Sequence, residues 1–329
     1  MNNALNNPIV VGISAGALSV LIIMISMIGA PVTLPLIFAS PLPLMVAGLG
    51  WGSSTALVGA AAGVALVGLM TGLVGSAVFA VTTAAGPVWL SRQALAGVGS
   101  DQGDTPSGEL LIWTSLAAAI AFAVISIWFL QFDGGLLASI ASTIPAQSPL
   151  LDEMIAQLQA SGFELNRAEI IALASAMVPA IMGLTWILAM FANLIGAQAI
   201  VTRIGEATRG PFKIATLELP KGYGLILAVL VAAAMVPGNV GFYAGTMAAF
   251  FAFPYFLTGI ITVHVMSLTW ANRNVEKVES YKGLRIGFLV VFYITLLVWG
   301  MLPFLVCALG LIDQWRGFRR DALASRQGE

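Results

Sequence analysis

Few side chains in this sequence are able to do chemistry, and their positions say more than their number. His264 is the only histidine and Cys307 the only cysteine. Ser14 lies in Gly12-Ile-Ser14-Ala-Gly16, which fits the Gly-x-Ser-x-Gly pattern of a nucleophile elbow. That pattern works by exposing its serine at a strand-to-helix turn. Here it sits inside an apolar run, 9–28. A Ser14–His264 pair would suit intramembrane hydrolysis. The same residues also suit a small-residue face, Gly12-xxx-Gly16, by which helices approach closely in lipid. A histidine in a membrane helix is a functional candidate by default; the other reading of His264 is a hydrogen-bonded structural residue near the interface. One cysteine forms neither an internal disulfide nor a thiolate zinc site. The sequence contains no Walker motif, metal-ligand cluster or paired carboxylates. No metal, cofactor or catalytic residue is therefore expected, and the chain reads as a non-enzyme.

The elements that must position these residues are apolar. Of 329 residues, 59% are hydrophobic and 9% charged, against about 25% charged in soluble domains. Arg92 is the first charged residue. Net charge is −1, so bulk electrostatics point to no nucleic-acid partner. No cleavable signal peptide is expected, because residues 1–8 lack a basic stretch. With about 20 apolar residues per crossing, the expected fold is an all-α polytopic integral membrane protein with about nine (eight to ten) transmembrane helices. The expected spans are 9–28, 32–50, 53–71, 73–90, 110–131, 168–200, 224–236, 241–268 and 286–315. They form one integral membrane domain: a five-span N-terminal region (1–131), an external loop (132–167), the later spans (168–315) and a cytoplasmic tail (316–329). Within the loop, Leu151, Met154, Ile155 and Leu158 fall on one helical face, opened by Pro149 and closed by Gly162. Asn166 and Glu169 have the spacing of a capping box.

Residues 31–75 hold four prolines and eight glycines but no charge. Pro and Gly are tolerated in a bilayer where neighbours re-satisfy the backbone. Span 32–50 therefore reads as a helix broken at Pro35, Pro41 and Pro43. On the next helix Gly52, Gly59 and Gly63 share one face, while Gly68, Gly72 and Gly75 share roughly the opposite one. Gly12, Gly16, Gly59, Gly63, Gly68 and Gly72 are the expected helix-packing residues. Plain packing is one reading; the other is a cavity against the broken span, as in transporters with discontinuous helices. Pro35, Pro41, Pro43, Gly48, Gly59, Gly63, Asn193 and His264 are the candidates for lining such a pocket. No ionisable residue lies mid-span, so a ligand would be neutral.

Twelve of the fourteen Lys and Arg fall in 203–221, 273–285 and 316–326, whereas 133–167 has four acids before Arg167. The positive-inside rule places the basic segments and the amino terminus in the cytoplasm. The expected location is the bacterial cytoplasmic (inner) membrane, with the lipid bilayer as first partner. Residues 286–315 read as a broken hairpin at 300–303 with an internal tail, or as a single crossing with an external one.

The tail Gly310-Leu-Ile-Asp313-Gln-Trp315-Arg-Gly317-Phe318-Arg319 resembles the Leu-Gly-Leu-Leu-Asp-x-Trp-x-Asp-Phe-Arg ending of the YybS-like predicted membrane proteins, a domain of unknown function. It keeps Gly310, Asp313, Trp315, Phe318 and Arg319, with Gly317 where an acid is usual. Gly259-Ile-Ile-Thr-Val263-His264 looks like a second family stretch. More remotely, the opening region is similar to the substrate-binding S components of energy-coupling-factor vitamin transporters. That resemblance implies a small-molecule binding subunit without its own ATPase, using Gly12, Ala15, Gly16 and Ser19 to meet a coupling subunit and its ATPase module. A rod-shape scaffold protein shares the broader likeness, which implies the alternative: a non-catalytic scaffold of envelope or division machinery.

Overall fold

The computed structural model describes residues 7–28, 33–98, 104–144, 149–161, 166–273 and 278–327. Every regular element among them is helical. α1 (Pro8–Ser26) starts at Asn7, whose side chain accepts from the Ile9 amide. The proline-rich stretch then forms a 3-10 turn, Leu34–Ala39, and the ten-residue α2, Leu42–Trp51. Gly52 (φ +98°) separates α2 from α3, Ser53–Phe79.

α3 is interrupted at Gly72, where φ is +80° and ψ −170°. That region is essentially open to glycine alone. Beyond it the chain folds back on itself. A Cβ on Gly63 would lie 2.9 Å from the Phe79 ring, although 16 residues of straight helix would separate the two by about 24 Å. A π-helical turn, Ala80–Ala84, leads into α4, Ala85–Leu95.

α5 (Ser107–Phe129) follows, then the short α6 (Gly135–Thr143) and α7 (Pro149–Ala160). Gly162 lies outside the described residues, as do the side chains of Leu151 and Met154. α8 runs 38 residues, Arg167–Ile204, through Pro179. Asn166 and Glu169 make the reciprocal capping box at its start, and Arg167 pairs with Asp152 of α7. α9 (Tyr223–Ala234) and α10 (Asn239–Arg273, with Pro254 inside) form a hairpin. α11 (Val278–Val298) and α12 (Leu302–Arg316) come next, and α13 (Phe318–Gln327) closes the described chain.

The structure corrects the expected count of about nine transmembrane helices. Among the described residues, five helical runs are long and apolar enough to cross a membrane: Pro8–Ser26, Ser53–Leu95, Ser107–Phe129, Arg167–Ile204 and Asn239–Trp270. The bent pair Gly283–Val298 and Leu302–Arg316 brings the number to six if it counts as one span, with 119° between its halves. The expected spans 53–71 and 73–90 fall within one run of 43 residues. The proline-rich segment Pro35–Trp51 is too short, because Gly52, at φ +98°, ends α2 after ten residues. α9, at 12 residues, reaches only about 18 Å of a roughly 30 Å hydrocarbon core.

Two apolar cores hold the helices together. The larger joins α2, α4, α5, α8 and α10 through residues such as Leu49, Leu90, Leu110, Ile187, Leu194 and Phe250. The smaller joins α1, α2, α3 and the segment after Gly72 through Val20, Leu44, Ala60 and Phe79. Large apolar side chains such as Leu69, Leu73, Ile127 and Met182 stay exposed on the outer faces, where hydrocarbon, not water, suits them.

Candidate functional site

α1 and α3 meet backbone to backbone. A Cβ on Gly16 would overlap the Gly59 carbonyl, and one on Gly12 would come within 2.6 Å of the Thr55 carbonyl. From the other side, a Cβ on Gly59 would lie 2.6 Å from the Gly12 carbonyl. Gly12, Gly16, Gly59 and Gly63 are therefore brought together in one seam. Gly68 and Gly72 lie outside it. Gly68 faces Ser76 across the fold-back, and Gly72 is exposed with no neighbour within 4 Å.

The other residues singled out from the sequence scatter. Pro35 is exposed in the 3-10 turn, Pro41 is buried and Pro43 half-buried at the start of α2. Gly48 packs against Ser91 of α4. Asn193 ties α8 to the 3-10 turn by donating to the Phe38 carbonyl at 2.6 Å, and to Ala189 at 2.8 Å. His264 lies at the other end of the chain, its Nε2 2.7 Å from the Tyr293 hydroxyl of α11. Ser14 is exposed on α1, and among the described residues the His264 ring bonds to Tyr293 and not to Ser14.

The polar chemistry converges elsewhere, on the strap between α8 and α9 (205–222). Gly205 (φ +81°) ends α8 and Gly222 (φ +89°) starts α9. Between them three separate regions of the chain hold the strap. Thr208 donates to the Leu49 carbonyl at 2.9 Å, and Gln198 Nε2 to the Arg209 carbonyl at 3.0 Å. At the start of α5, Asp104 accepts from the Gly210 amide at 2.7 Å, and Ser107 Oγ from the Lys213 amide at 3.2 Å. Arg209 Nη2 donates to the Thr105 carbonyl at 3.1 Å, while the guanidinium stacks 4.2 Å over the Phe212 ring. Burial pushes the Arg209 pKa down, and the neighbouring Asp104 charge opposes that.

The tail supplies the third clamp. Gln314 brackets Leu219, donating to its carbonyl at 2.5 Å and accepting from its amide at 3.2 Å. Asp313 and Arg319 form a buried ion pair: the Arg319 amide and Nε donate to the two carboxylate oxygens at 3.0 and 2.6 Å. Arg319 Nη2 goes on to the Leu217 carbonyl at 2.7 Å. Gly317, where the family ending has an acid, adopts φ +74° and caps α12, its amide donating to the Asp313 carbonyl at 2.7 Å. Gly310 lies against the Tyr255 backbone. Trp315 and Phe318 are exposed, Trp315 more fully.

Two cavities flank the strap. One of about 690 Å³ lies between the strap and the tail, and includes Glu218, Lys221, Gln314, Arg319 and Arg320 in its lining. The other, about 660 Å³, lies between the strap and the start of α5, beside Asp104, Glu109, Arg209 and Lys213. Neither is lined by Pro35, Pro41, Pro43, Gly48, Gly59, Gly63, Asn193 or His264. Reasoning from sequence missed Gln314, Arg209, Lys221 and Arg320. The apolar rhythm Phe212, Ile214, Leu217, Leu219 inside a basic loop marks the strap as a packed segment, but no signal in it points to the side chains that reach it. Among the described residues, no group of three His, Cys, Asp or Glu is placed to hold a metal ion.

These features define an all-α polytopic membrane protein with one polar, clamped end. The chain belongs to the YybS-like family described as Predicted membrane protein (DUF2232), whose model matches residues 17–314. That match takes in the strap, Gly310 and Asp313, and stops just before Trp315. No curated protein and no solved structure matches the chain. None of these findings links it to the substrate-binding components of energy-coupling-factor transporters.

Proposed function

We propose that the chain is a non-catalytic assembly subunit of the bacterial cytoplasmic membrane, offering its strap end to other members of an envelope or division machinery. The observation that carries this reading is the strap itself. Segments some hundred residues apart are fastened there by side-chain hydrogen bonds to backbone, giving a fixed polar surface. Its most buried charges, Asp313 and Arg319, bind one another and the backbone, so they serve to hold a shape. The concentration of Lys and Arg in 203–221 and the tail supports a cytoplasmic strap end. Gly12, Ala15, Gly16 and Ser19 are all buried within the chain, so the four residues expected to meet a coupling subunit are taken up by its own packing.

The test is in-cell photo-crosslinking from a reactive residue placed at exposed strap positions Thr216 and Glu218, with the adducts identified by mass spectrometry. Adducts with envelope or division proteins are expected. Recovery of ATPase and coupling subunits alone would overturn the proposal.

The 690 Å³ cavity favours a second reading, a small-molecule binding subunit that depends on a partner ATPase. Its ionic lining suits a charged ligand better than a neutral, vitamin-like one. Uptake of a labelled solute that is lost with the chain and unaffected by loss of the crosslinked partners would favour this reading over the first.

A further inference from the structure

The cavity between the strap and the tail has an unused hydrogen-bonding group in its wall. Tyr255 of α10 lines it and is only 3% exposed. Its hydroxyl lies against Gly224, another lining residue: a Cβ on Gly224 would come within 3.2 Å of Tyr255 Oη. That hydroxyl has no hydrogen-bond partner among the described residues. The ring is held where it is. Tyr223 packs on it with 5.5 Å between centroids, and α12 presses on the backbone beneath it, since a Cβ on Gly310 would overlap the Tyr255 carbonyl. Side chains this deeply buried are mostly paired, and leaving the group unmade is costly. An acceptor in the cavity would pair it.

The rest of the lining says what kind of molecule carries that acceptor. Asp313, Gln314 and Arg319 are spent on one another and on the strap, so they hold the wall. Of the remainder, one side is charged, with Glu218, Lys221 and Arg320. The other is apolar and turned outward: Leu225 is 71% exposed and Trp315 76%. An outward leucine suits acyl chains, and a tryptophan suits the headgroup level of a bilayer. An amphiphile matches both sides. Between its headgroup and its chains a glycerolipid carries ester carbonyls, which accept hydrogen bonds and cannot donate them. Tyr255 offers a donor at that boundary. The volume of about 690 Å³ lies within the range of about 300–1,000 Å³ usual for ligand sites.

We propose that this cavity binds the polar end of a glycerolipid, with Tyr255 Oη donating to an ester carbonyl. The headgroup lies towards Glu218, Lys221 and Arg320, and the acyl chains leave past Leu225 and Trp315. The site goes beyond the assembly role and requires no protein partner.

The test compares two lipids that differ only in that carbonyl. The full chain is placed in nanodiscs made of equal amounts of a diester phosphatidylglycerol and its diether analogue, with the same headgroup and chains. Native mass spectrometry then counts the lipid that each released chain retains. Diester should be retained over diether about threefold or more, the scale of one neutral hydrogen bond. Tyr255→Phe keeps the ring and removes the donor, so the two lipids should be retained equally. The control Tyr293→Phe removes a tyrosine hydroxyl outside the cavity and should leave the diester preference intact. The proposal is overturned if the unaltered chain retains no lipid or retains both lipids equally. It is overturned as well if Tyr255→Phe keeps the preference, or if Tyr293→Phe abolishes it.

Discussion

The α1–α3 seam and the strap end hold the molecule by opposite means. The seam works through missing atoms: four glycines let two backbones touch, with no side chain between Gly12, Gly16, Gly59 and Gly63. The strap works through particular atoms: Gln314, Arg319, Asp104 and Arg209 each reach a named backbone group. In lipid, burial of apolar surface drives little association between helices, so close packing must supply it. A loop has no ladder of its own, so its buried amides and carbonyls need side-chain partners. The seam should therefore respond to volume, and the strap to chemistry.

That contrast can be broken or sharpened by substitution. The largest effect is expected from Arg319→Met, which leaves Asp313 buried and unpaired. Removing one partner of a buried pair costs about 3–5 kcal/mol, read as a lower midpoint in denaturant or thermal unfolding in detergent. Asp313→Leu combined with Arg319→Met should recover most of that loss; if it does not, the strap depends on the charges themselves. Gly16→Ala comes next. Its Cβ meets a backbone carbonyl that no rotamer change can move, so about 1–3 kcal/mol is expected, the usual cost of overpacking. Gln314→Ala should cost about 1–2 kcal/mol by unfastening both bonds to Leu219, with faster amide exchange confined to 217–222. Gly68→Ala should be the mildest, within about 0.5 kcal/mol, because its Cβ meets only Ser76 at 3.4 Å. A loss at Gly68 equal to that at Gly16 would show that the seam does not end at Gly63.

Much of the seam is visible in the sequence. The four-residue spacings Gly12/Gly16 and Gly59/Gly63 are the ones that bring the two backbones together. The face arithmetic fails after Gly63 because it treats 53–75 as one straight helix, whereas Gly72 leaves helical dihedrals altogether. Composition marks the chain as membrane-embedded but overcounts crossings. Hydropathy does not register that Gly52 stops the proline-rich stretch early, or that α9 is short. The strap was the least legible region. Its bonds join Thr105 to Arg209 and Leu217 to Arg319, and the acceptors are carbonyls that every residue carries. Nothing in the spelling of a loop announces which distant side chain will reach it. The tail motif hints at it only because Asp313 and Arg319 stand six residues apart, the separation that a Gly317 cap turns into a contact.

The fold-back at Gly72 bears on how the molecule enters a bilayer. The two arms it joins are separated by a single non-helical residue and have no charge before Arg92. No hydrophilic loop lies between them to be carried across or held back, so a translocation machine has no handle on either arm alone. They must partition as one wedge, and the signal that orients it comes from Arg92 and the basic segments made later. The uncharged stretch before Arg92 thus takes its direction from residues that follow it.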